Sequence, residues 1–166
     1  HWELVPRSAA SGHKTISAVW SFKRKRHPDG SLNKHKARLC ANGSQQTYGV
    51  NYWDTYAPVV SWLAVRVMLI LTILEKWHSG SIDFTLAFPQ ADLEHEIYME
   101  LPLGMQAPGH SRKSHVLRLK KNLYGLKDAG FNWSKKLQKG LEDRGFKQSE
   151  VDPCVYLKEG SVVLVY

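Results

Sequence analysis

Cysteine is scarce in this chain, and the shortage excludes two common kinds of small protein. The 166 residues include two cysteines, Cys40 and Cys154. Two are too few for a disulfide framework or for a four-cysteine zinc site. The eight histidines do not combine with them at zinc-ligand spacing. We therefore expect a reducing compartment, or simply a protein that does not depend on thiols. A hydrophobic content of 43% is ordinary for a globular protein.

Long apolar runs and several standard motifs are also missing. The longest apolar stretch, residues 59–74, has about 16 residues with Arg66 in its middle. It is short for a bilayer span, so a buried or amphipathic helix is the better interpretation. The N-terminal residues contain no apolar signal segment, so no targeting sequence is predicted. G-x-S-x-G, Walker and G-x-G-x-x-G motifs are absent, which excludes the common signatures of hydrolases and mononucleotide- or dinucleotide-binding folds.

Acidic residues are few, and many of them lie in one segment. Lys and Arg number 23 against 15 Asp and Glu, a formal net charge of +8. Residues 14–38 carry +7 and residues 112–147 carry +8, whereas residues 75–100 carry −5. Two cationic blocks around an acidic segment suit a polyanion held near a carboxylate or metal centre. Solvated faces on an ordinary basic protein would give the same pattern.

The hydrophobic pattern predicts more strands than helices. Residues 16–26 and 32–41 predict a β-hairpin around the turn sequence at residues 27–30. Further short strands are predicted at residues 80–84, 96–100, 116–119, 155–157 and 162–166. Helices are predicted from an N-cap at Ser61 to about His78, and over residues 129–144. This order favours an α+β fold, with helices on one face of an antiparallel sheet, over a doubly wound sheet.

Asp83 is the sharpest single candidate for chemistry. It lies at the C-terminal end of the predicted strand at residues 80–84, where a carboxylate could hold a hard cation such as Mg²⁺. An aspartate that caps a turn is the competing interpretation. Ala87 and Phe88 follow closely, and the aromatic ring could line a nucleotide pocket or pack in the core.

Two further segments suggest contacts with phosphate. Lys36 and Arg38 share one face of the second hairpin strand and could grip a triphosphate or a phosphate backbone. An edge strand whose lysines discourage aggregation would look the same. Gly125 would permit a close backbone approach to a ligand, and Lys127 could meet a phosphate. An ordinary loop entering a helix is the alternative there.

Considered together, the motifs resemble the reverse transcriptase domain of copia-type LTR retrotransposons. The most characteristic segments are Trp20-Ser21-Phe22-Lys23, Lys36-Ala37-Arg38-Leu39 and Tyr56-Ala57-Pro58-Val59, with LKKNLYGLK at residues 119–127. Asp83 followed by Ala87-Phe88 and Glu96-Ile97-Tyr98-Met99 matches the family's longest motif. Residues 2–6, 133–146 and 149–156 match as well, so the resemblance covers essentially the whole chain in order.

The resemblance implies a right-hand polymerase fold and a two-metal nucleotidyl transfer that makes DNA on an RNA or DNA template. About residues 14–60 and 112–130 would be fingers-like, and about residues 61–111 and 131–166 palm-like. Asp83 would be a catalytic residue and a ligand of two Mg²⁺ ions, for which Mn²⁺ is an alternative. The backbone carbonyl of Phe84 would assist as a metal ligand.

The resemblance also assigns contacts with nucleotide and nucleic acid. Phe88 would be the steric gate against a ribose 2′-OH. The incoming nucleotide would contact Lys36, Arg38, Ala87, Phe88, Tyr124, Gly125 and Lys127. The primer–template would contact Lys23, Arg24, Lys25, Arg26, Lys135, Lys136 and Lys139.

The sequence departs from the family pattern at four places. The family's L-Y-G-L-K-Q-A-P-R continues here after Lys127 with Asp128, so an acidic residue replaces Gln beside an expected polyanion site. Where the family usually has A-F-L-N-G, this chain has AFPQA at residues 87–91. Where the family has Lys-Gly, it has Asn42-Gly43. The family's Asp-Asp pair, expected one residue beyond V-V-L-V-Y, lies past Tyr166. We therefore expect the 166-residue polypeptide to be a partial domain that does not polymerise alone and that leaves a sheet edge exposed.

These assignments imply partners and competing functions. The expected partners are a primer–template, dNTPs and the rest of a Pol polyprotein with RNase H and integrase, and no membrane. A cytoplasmic virus-like particle is the expected location, with the nucleus as an alternative. A non-catalytic nucleic-acid-binding remnant of the polyprotein is the second functional hypothesis, and an unstable gene remnant without present function is the third.

Overall fold

The computed structural model describes residues 1–105 and 108–166. Within these ranges three α-helices occur: α1 (Trp62–Leu74), α2 (Ala87–Gln90) and α3 (Ala129–Glu142). Eight strands occur: β1 (Trp2–Pro6), β2 (Ala18–Arg26), β3 (Leu32–Ala41), β4 (Tyr98–Met99), β5 (His115–Leu119), β6 (Lys147–Gln148), β7 (Val155–Lys158) and β8 (Ser161–Leu164). Short 3₁₀ helices cover Arg7–Ala10 and Gly43–Gln45.

The chain divides into two compact units. Unit 1 consists of residues 1–55 and 86–132, and unit 2 of residues 56–85 and 133–166. Unit 1 contains a three-stranded sheet in the order β1-β5-β4 and the separate hairpin β2-β3. Unit 2 contains a three-stranded sheet in the order β6-β7-β8 and helix α1. The named strands pair antiparallel throughout.

The core of unit 1 is built on its three-stranded sheet. Ile16, Met99 and Leu117 are completely buried there. Ile16 joins the edge of β4 because its N–H donates to the Tyr98 carbonyl (2.9 Å) and its carbonyl accepts from the Glu100 N–H (2.8 Å). Removing the side chain of a buried leucine such as Leu117 costs about 2–5 kcal/mol, so substitutions in this cluster should destabilise unit 1 strongly.

An ion pair fastens the N-terminal segment of unit 1 to the end of β4. The Arg7 guanidinium donates to both carboxylate oxygens of Glu100, at 3.0 and 2.5 Å. The Thr15 hydroxyl donates to the same carboxylate (2.9 Å). The hydrogen bonds from Arg7 stabilise the charged form and hold the pKa of Glu100 below its usual range.

Helix α1 begins where the sequence predicts. The Ser61 hydroxyl accepts a hydrogen bond from the Ala64 N–H (3.1 Å), as an N-cap does. The Asp152 carboxylate accepts from the Ser61 N–H (3.1 Å) and hydroxyl (2.9 Å). The helix ends at Leu74 rather than near His78, because the backbone enters the left-handed region at Lys76, where φ is 53°.

The prediction that α1 is buried or amphipathic is wrong. None of its residues is buried, and many of its large side chains are exposed, with Trp62 at 77% and Ile73 at 76%. Val65, Met68 and Leu71 are half-buried. Apolar side chains occupy every face of the helix, so it has no polar side to turn to solvent. Residues of α1 and the β7–β8 hairpin line a groove of about 1220 Å³. Among the described residues, no helix has both the length and the apolar character needed to cross a membrane.

Two strand predictions and the prediction of a single sheet need correction. Residues 80–84 form no strand, and the predicted strand at residues 96–100 shrinks to the two residues of β4. The strands of the described chain form three small sheets instead of the single sheet expected, since β2 and β3 pair only with each other. The hairpin, β5, α3 and the final strand pair are confirmed, as are the mixed helix and strand content and the antiparallel pairing.

Candidate nucleotide and nucleic-acid interface

Side chains from three separate segments of unit 1 meet at the ring of Tyr124. The guanidinium carbon of Arg38, on β3, lies 5.0 Å from the ring centroid of Tyr124. The ring of Phe88, on α2, lies 5.0 Å from the same ring at an interplanar angle of 55°. Arg38 is exposed, and the two rings are half-buried. The cation–π contact holds the guanidinium over the ring at the surface of the unit.

The backbone beside Tyr124 packs directly on the end of β3. The Ala41 N–H donates to the Tyr124 carbonyl (2.8 Å). Gly125 has φ +92°, and a Cβ atom built there would lie 2.2 Å from the Ala41 carbonyl oxygen. A Cβ atom on Gly43 would lie 2.1 Å from the Gly125 carbonyl oxygen. The close approach expected of Gly125 is therefore made to the backbone of the protein itself.

Lys127 is exposed and contacts the aromatic side chain of Tyr52 in the same unit. Its Nζ donates to the Tyr52 hydroxyl (3.1 Å) and lies 4.5 Å from the Tyr52 ring centroid. Ala87, the remaining small residue of the predicted nucleotide set, is half-buried at the start of α2. The residue before it, Leu86, has φ +53° and turns the chain into this helix.

The acidic substitution at Asp128 points into the protein. The residue is 3% exposed. One carboxylate oxygen accepts from Gln46 Nε2 (3.3 Å) and the other from Asn132 Nδ2 (3.1 Å). A negative charge that faces buried amides in this way is not displayed to a polyanion at the surface.

The β2–β3 hairpin carries five cationic side chains on one face. Cross-strand partners share a face, and residues two apart along a strand share it too. The register pairs Ser21 with Arg38, Lys23 with Lys36 and Lys25 with Lys34. We call this the cationic face: Lys23, Lys25, Lys34, Lys36 and Arg38. Neither strand contains Asp or Glu.

The opposite face of the hairpin carries Trp20 and Phe22, which the alternation of apolar residues along β2 places on one side. The rings of Trp20 and Phe22 stack with centroids 5.9 Å apart at 18°. Phe22 is 75% exposed. Trp20 is 39% exposed, and its indole Nε1 donates to the Leu103 carbonyl (3.0 Å). Arg24 lies on this face, so the four consecutive basic residues predicted to bind nucleic acid, Lys23 to Arg26, do not all point one way.

Asp83 and Phe84 belong to unit 2. Asp83 is exposed in a segment without strand pairing. The ring of Phe84 contacts that of Trp133 on α3 edge-on, with centroids 5.1 Å apart at 68°. The same part of α3 exposes three predicted nucleic-acid contacts, Lys135, Lys136 and Lys139.

The described residues do not form a two-metal centre. Across residues 1–105 and 108–166, no three or more His, Cys, Asp or Glu side chains gather as a metal-binding group. A pair of Mg²⁺ ions needs several oxygen ligands to balance its charge and fill its octahedral coordination. Asp83 supplies one carboxylate, so the ions implied by the resemblance do not fit these residues alone.

The net charge is unevenly divided between the units. Unit 1 has fifteen Lys and Arg against eight Asp and Glu, a net charge of +7. Unit 2 has eight against seven, a net charge of +1. We call Arg38, Phe88 and Tyr124 the arginine–aromatic cluster. This cluster and the cationic face both lie in the unit that carries almost all of the excess positive charge.

Comparison with known proteins identifies the family. The family model described as "Reverse transcriptase (RNA-dependent DNA polymerase)" matches residues 1–166, and the chain belongs to this family. No solved structure matched the chain.

Three relatives illustrate the relationship. The Retrovirus-related Pol polyprotein from transposon RE1 of Arabidopsis thaliana is 35% identical over 166 residues, covering 99% of this chain and 11% of the relative. That from transposon TNT 1-94 of Nicotiana tabacum is 35% identical over 150 residues, 90% of this chain and 11% of the relative. The Transposon Ty1-H Gag-Pol polyprotein of Saccharomyces cerevisiae is 32% identical over 164 residues, 88% of this chain and 8% of the relative. The chain thus spans about a tenth of the relatives' length.

Proposed function

We propose that the chain is part of the RNA-directed DNA polymerase of a retrotransposon Pol polyprotein, and that unit 1 contacts the incoming nucleotide and the nucleic acid. The contact of Arg38 and Phe88 with Tyr124 supports this most strongly. A guanidinium group is the side chain best suited to planar contacts with phosphate oxygens. Half-buried rings offer flat apolar surfaces to a base or a sugar.

Within this cluster the residues take different parts of the nucleotide. Arg38 contacts the triphosphate, and its position over the Tyr124 ring reduces the freedom it loses on binding. Phe88 limits the space beside the sugar and disfavours a ribose 2′-OH. Lys36 and Lys127 add positive charge near the phosphates. Asp83 contributes one of the catalytic carboxylates of the polymerase, by the family motif that surrounds it.

The cationic face supports a second contact, with the phosphate backbone of a primer–template. Lys23 lies opposite Lys36, and Lys25 opposite Lys34, in the hairpin register. Like charges in direct cross-strand pairs destabilise a sheet. Neutralisation by phosphates removes that repulsion and releases counterions from the nucleic acid, so binding gains from both effects.

Equilibrium binding of a dNTP in the presence of a primer–template tests the nucleotide site. The 166-residue protein is compared with its Arg38→Ala and Tyr124→Ala variants. We expect each substitution to weaken dNTP binding at least tenfold. Lys113→Ala is the matched control, because it removes another exposed cation of unit 1 and leaves the cluster intact. Equal dNTP affinities for all four proteins would refute the site.

A non-catalytic nucleic-acid-binding role is the second candidate, and the charge of unit 1 favours it. This role predicts binding of primer–template or single strands with little sequence preference and with a steep salt dependence. It also predicts that dNTPs do not bind at the arginine–aromatic cluster. A log–log salt slope near zero would exclude this role, and specific dNTP binding would favour the polymerase.

A further inference from the structure

Five buried polar residues form one connected group in unit 1, which Asn51 joins through its backbone carbonyl. They are exposed by 6% or less: Gln46, Asn51, Asn122, Asp128 and Asn132. Burying polar groups is costly unless their hydrogen bonds are made. Here they are made, since no buried side-chain nitrogen or oxygen in the described residues lacks a partner. We call this group the amide network.

One arm of the amide network holds the loop that carries Tyr124. Gln46 Oε1 accepts from the backbone N–H of Lys127 (2.7 Å). Gln46 Nε2 donates to the Asn51 carbonyl (3.2 Å) and to Asp128 Oδ1 (3.3 Å). Gln46 follows the Gly43–Gln45 turn, so this arm fixes the loop against the segment that continues from β3.

The other arm leads towards Phe88. Asn132 Nδ2 donates to Asp128 Oδ2 (3.1 Å) and to Asn122 Oδ1 (3.2 Å). Asn122 Nδ2 donates to the Asp92 carbonyl (2.8 Å). The backbone N–H of Asn122 donates to the Ala91 carbonyl (3.0 Å), and the segment at Ala91 is the end of α2, which carries Phe88.

Asp128 accepts a hydrogen bond from each arm and so determines which end of the Gln46 and Asn132 amide groups faces it. An ionised carboxylate only accepts hydrogen bonds, whereas an amide has one accepting and one donating end. Gln46 must turn its NH₂ group to Asp128, which leaves its oxygen for the Lys127 N–H. Asn132 must turn its NH₂ group to the same carboxylate. An uncharged amide at this position would set one NH₂ group against another.

We propose that Asp128 is a positioning residue whose buried carboxylate orients Gln46 and Asn132 and thereby holds Tyr124 and Phe88 in contact. This inference rests on the proposed nucleotide site, because that contact is what the network would serve. It also gives the departure from the family's Gln at this position a function of its own.

Amide hydrogen exchange, measured without any ligand, tests the positioning directly. We expect Asp128→Asn to speed exchange of the Lys127 and Ala41 amides at least tenfold relative to the amides of β1. Gln46→Glu places two carboxylates together and should have a larger effect. The double variant Gln46→Glu/Asp128→Asn exchanges the carboxylate and the amide between the two positions. It should regain part of the lost protection, because a donor again faces an acceptor between positions 46 and 128, whereas the Asn51 carbonyl loses the donor that Gln46 supplies.

A matched control separates positioning from loss of stability. Val116→Ala removes part of a completely buried side chain that packs with Ala10 and Tyr98, away from the amide network. It should lower the stability of unit 1 and speed exchange in β1, where Val5 is its cross-strand partner, without raising the ratio of Lys127 exchange to β1 exchange. If Asp128→Asn raises this ratio no more than Val116→Ala does, or if the double variant shows no recovery, the positioning role is wrong.

Nucleotide binding by the same variants distinguishes the two proposals. We expect Asp128→Asn to weaken dNTP binding about fivefold to tenfold and the double variant to restore it in part. If the unsubstituted protein binds no dNTP at the cluster while exchange behaves as expected, the nucleotide site is refuted and the positioning stands. If dNTP binding is normal in Asp128→Asn, the positioning role is refuted and the site stands.

Discussion

The guanidinium of Arg38 lies 5.0 Å from the centre of the Tyr124 ring. One residue comes from the hairpin strand β3 and the other from the loop after β5. Ala41 joins the same two segments by a backbone hydrogen bond to the Tyr124 carbonyl (2.8 Å). The strand and the loop therefore form one surface, and an arginine side chain and an aromatic side chain project from it together.

Replacing Arg38 by Lys should weaken dNTP binding although the charge is kept. A lysine ammonium lacks the planar fork of arginine and stacks poorly on an aromatic ring. We expect a loss of about threefold to tenfold in dNTP affinity. As an exposed substitution it should change the free energy of unfolding by less than about 0.5 kcal/mol. Lys113→Arg is the control, and an unchanged dNTP affinity in Arg38→Lys would show that the planar contact is unimportant.

Two glycines with similar positive φ angles, Gly30 and Gly125, should respond differently to replacement by alanine. Gly30 has φ +85° and open space around it, whereas a Cβ on Gly125 would lie 2.2 Å from a carbonyl oxygen. Gly30→Ala should cost about 1 kcal/mol, the penalty of a left-handed backbone alone. Gly125→Ala should cost more than about 3 kcal/mol, because the backbone contact with Ala41 must open as well. Urea denaturation of the two variants measures the difference, and equal costs would show that the close approach is not required.

The pKa of Asp152 should depend on the hydroxyl group of Ser61. The Cys154 N–H (2.9 Å), followed by the Ser61 hydroxyl and N–H, stabilises the charged carboxylate and lowers the pKa of Asp152. A lowered folded-state pKa stabilises the fold above the ordinary carboxyl pKa. That stabilisation is lost as the pH falls through the folded-state value. Carbon-13 titration by NMR should show the pKa of Asp152 rising towards its ordinary value in Ser61→Ala.

The exposed Ser111, in unit 1, provides the control for that titration. Ser111→Ala should leave the pKa of Asp152 unchanged. Ser61→Ala should also destabilise unit 2 by about 0.5–2 kcal/mol, because α1 loses its N-cap. An identical titration midpoint in the unsubstituted protein and in Ser61→Ala would contradict the assignment of the cap.

Removing charge from the cationic face should affect stability and nucleic-acid binding in opposite directions. Lys25 and Lys34 are direct cross-strand partners, so Lys34→Gln relieves a repulsion within the hairpin. The unfolding free energy should stay the same or rise slightly. For each phosphate that the protein no longer neutralises, the log–log salt slope of primer–template binding should fall by about 0.7–0.9. An unchanged slope in the double variant Lys25→Gln/Lys34→Gln would indicate that nucleic acid does not bind this face.

Local chemistry in the sequence was a good guide to individual elements. The turn at residues 27–30 predicted the hairpin, and Gly30 there takes the left-handed backbone that the turn needs. Ser61 predicted the start of α1 because a hydroxyl group can cap a helix without help from distant residues. The periodic stripe of Trp133, Leu137 and Leu141 predicted α3.

Properties that depend on distant partners were not predictable from local pattern. Strand β1 has five residues, too few for a clear local pattern. Its strand conformation depends on pairing with β5, which is remote in sequence. The apolar pattern of α1 indicated burial, but burial depends on what packs against the helix. The orientation of Asp128 depends on Gln46, and only the folded chain shows that its charge faces inward. The motif resemblance named Arg38 and Tyr124, but not their contact.

Photo-crosslinking with a photoreactive dNTP, in the presence of a primer–template, tests the central claim most directly. Crosslinked peptides are identified by mass spectrometry in the unsubstituted protein and in Arg38→Ala. We predict crosslinks to the peptides that contain Tyr124 and Phe88, competed by unlabelled dNTP and strongly reduced in Arg38→Ala. Crosslinks that are absent, or that persist unchanged in Arg38→Ala and resist competition, would contradict the proposed nucleotide site.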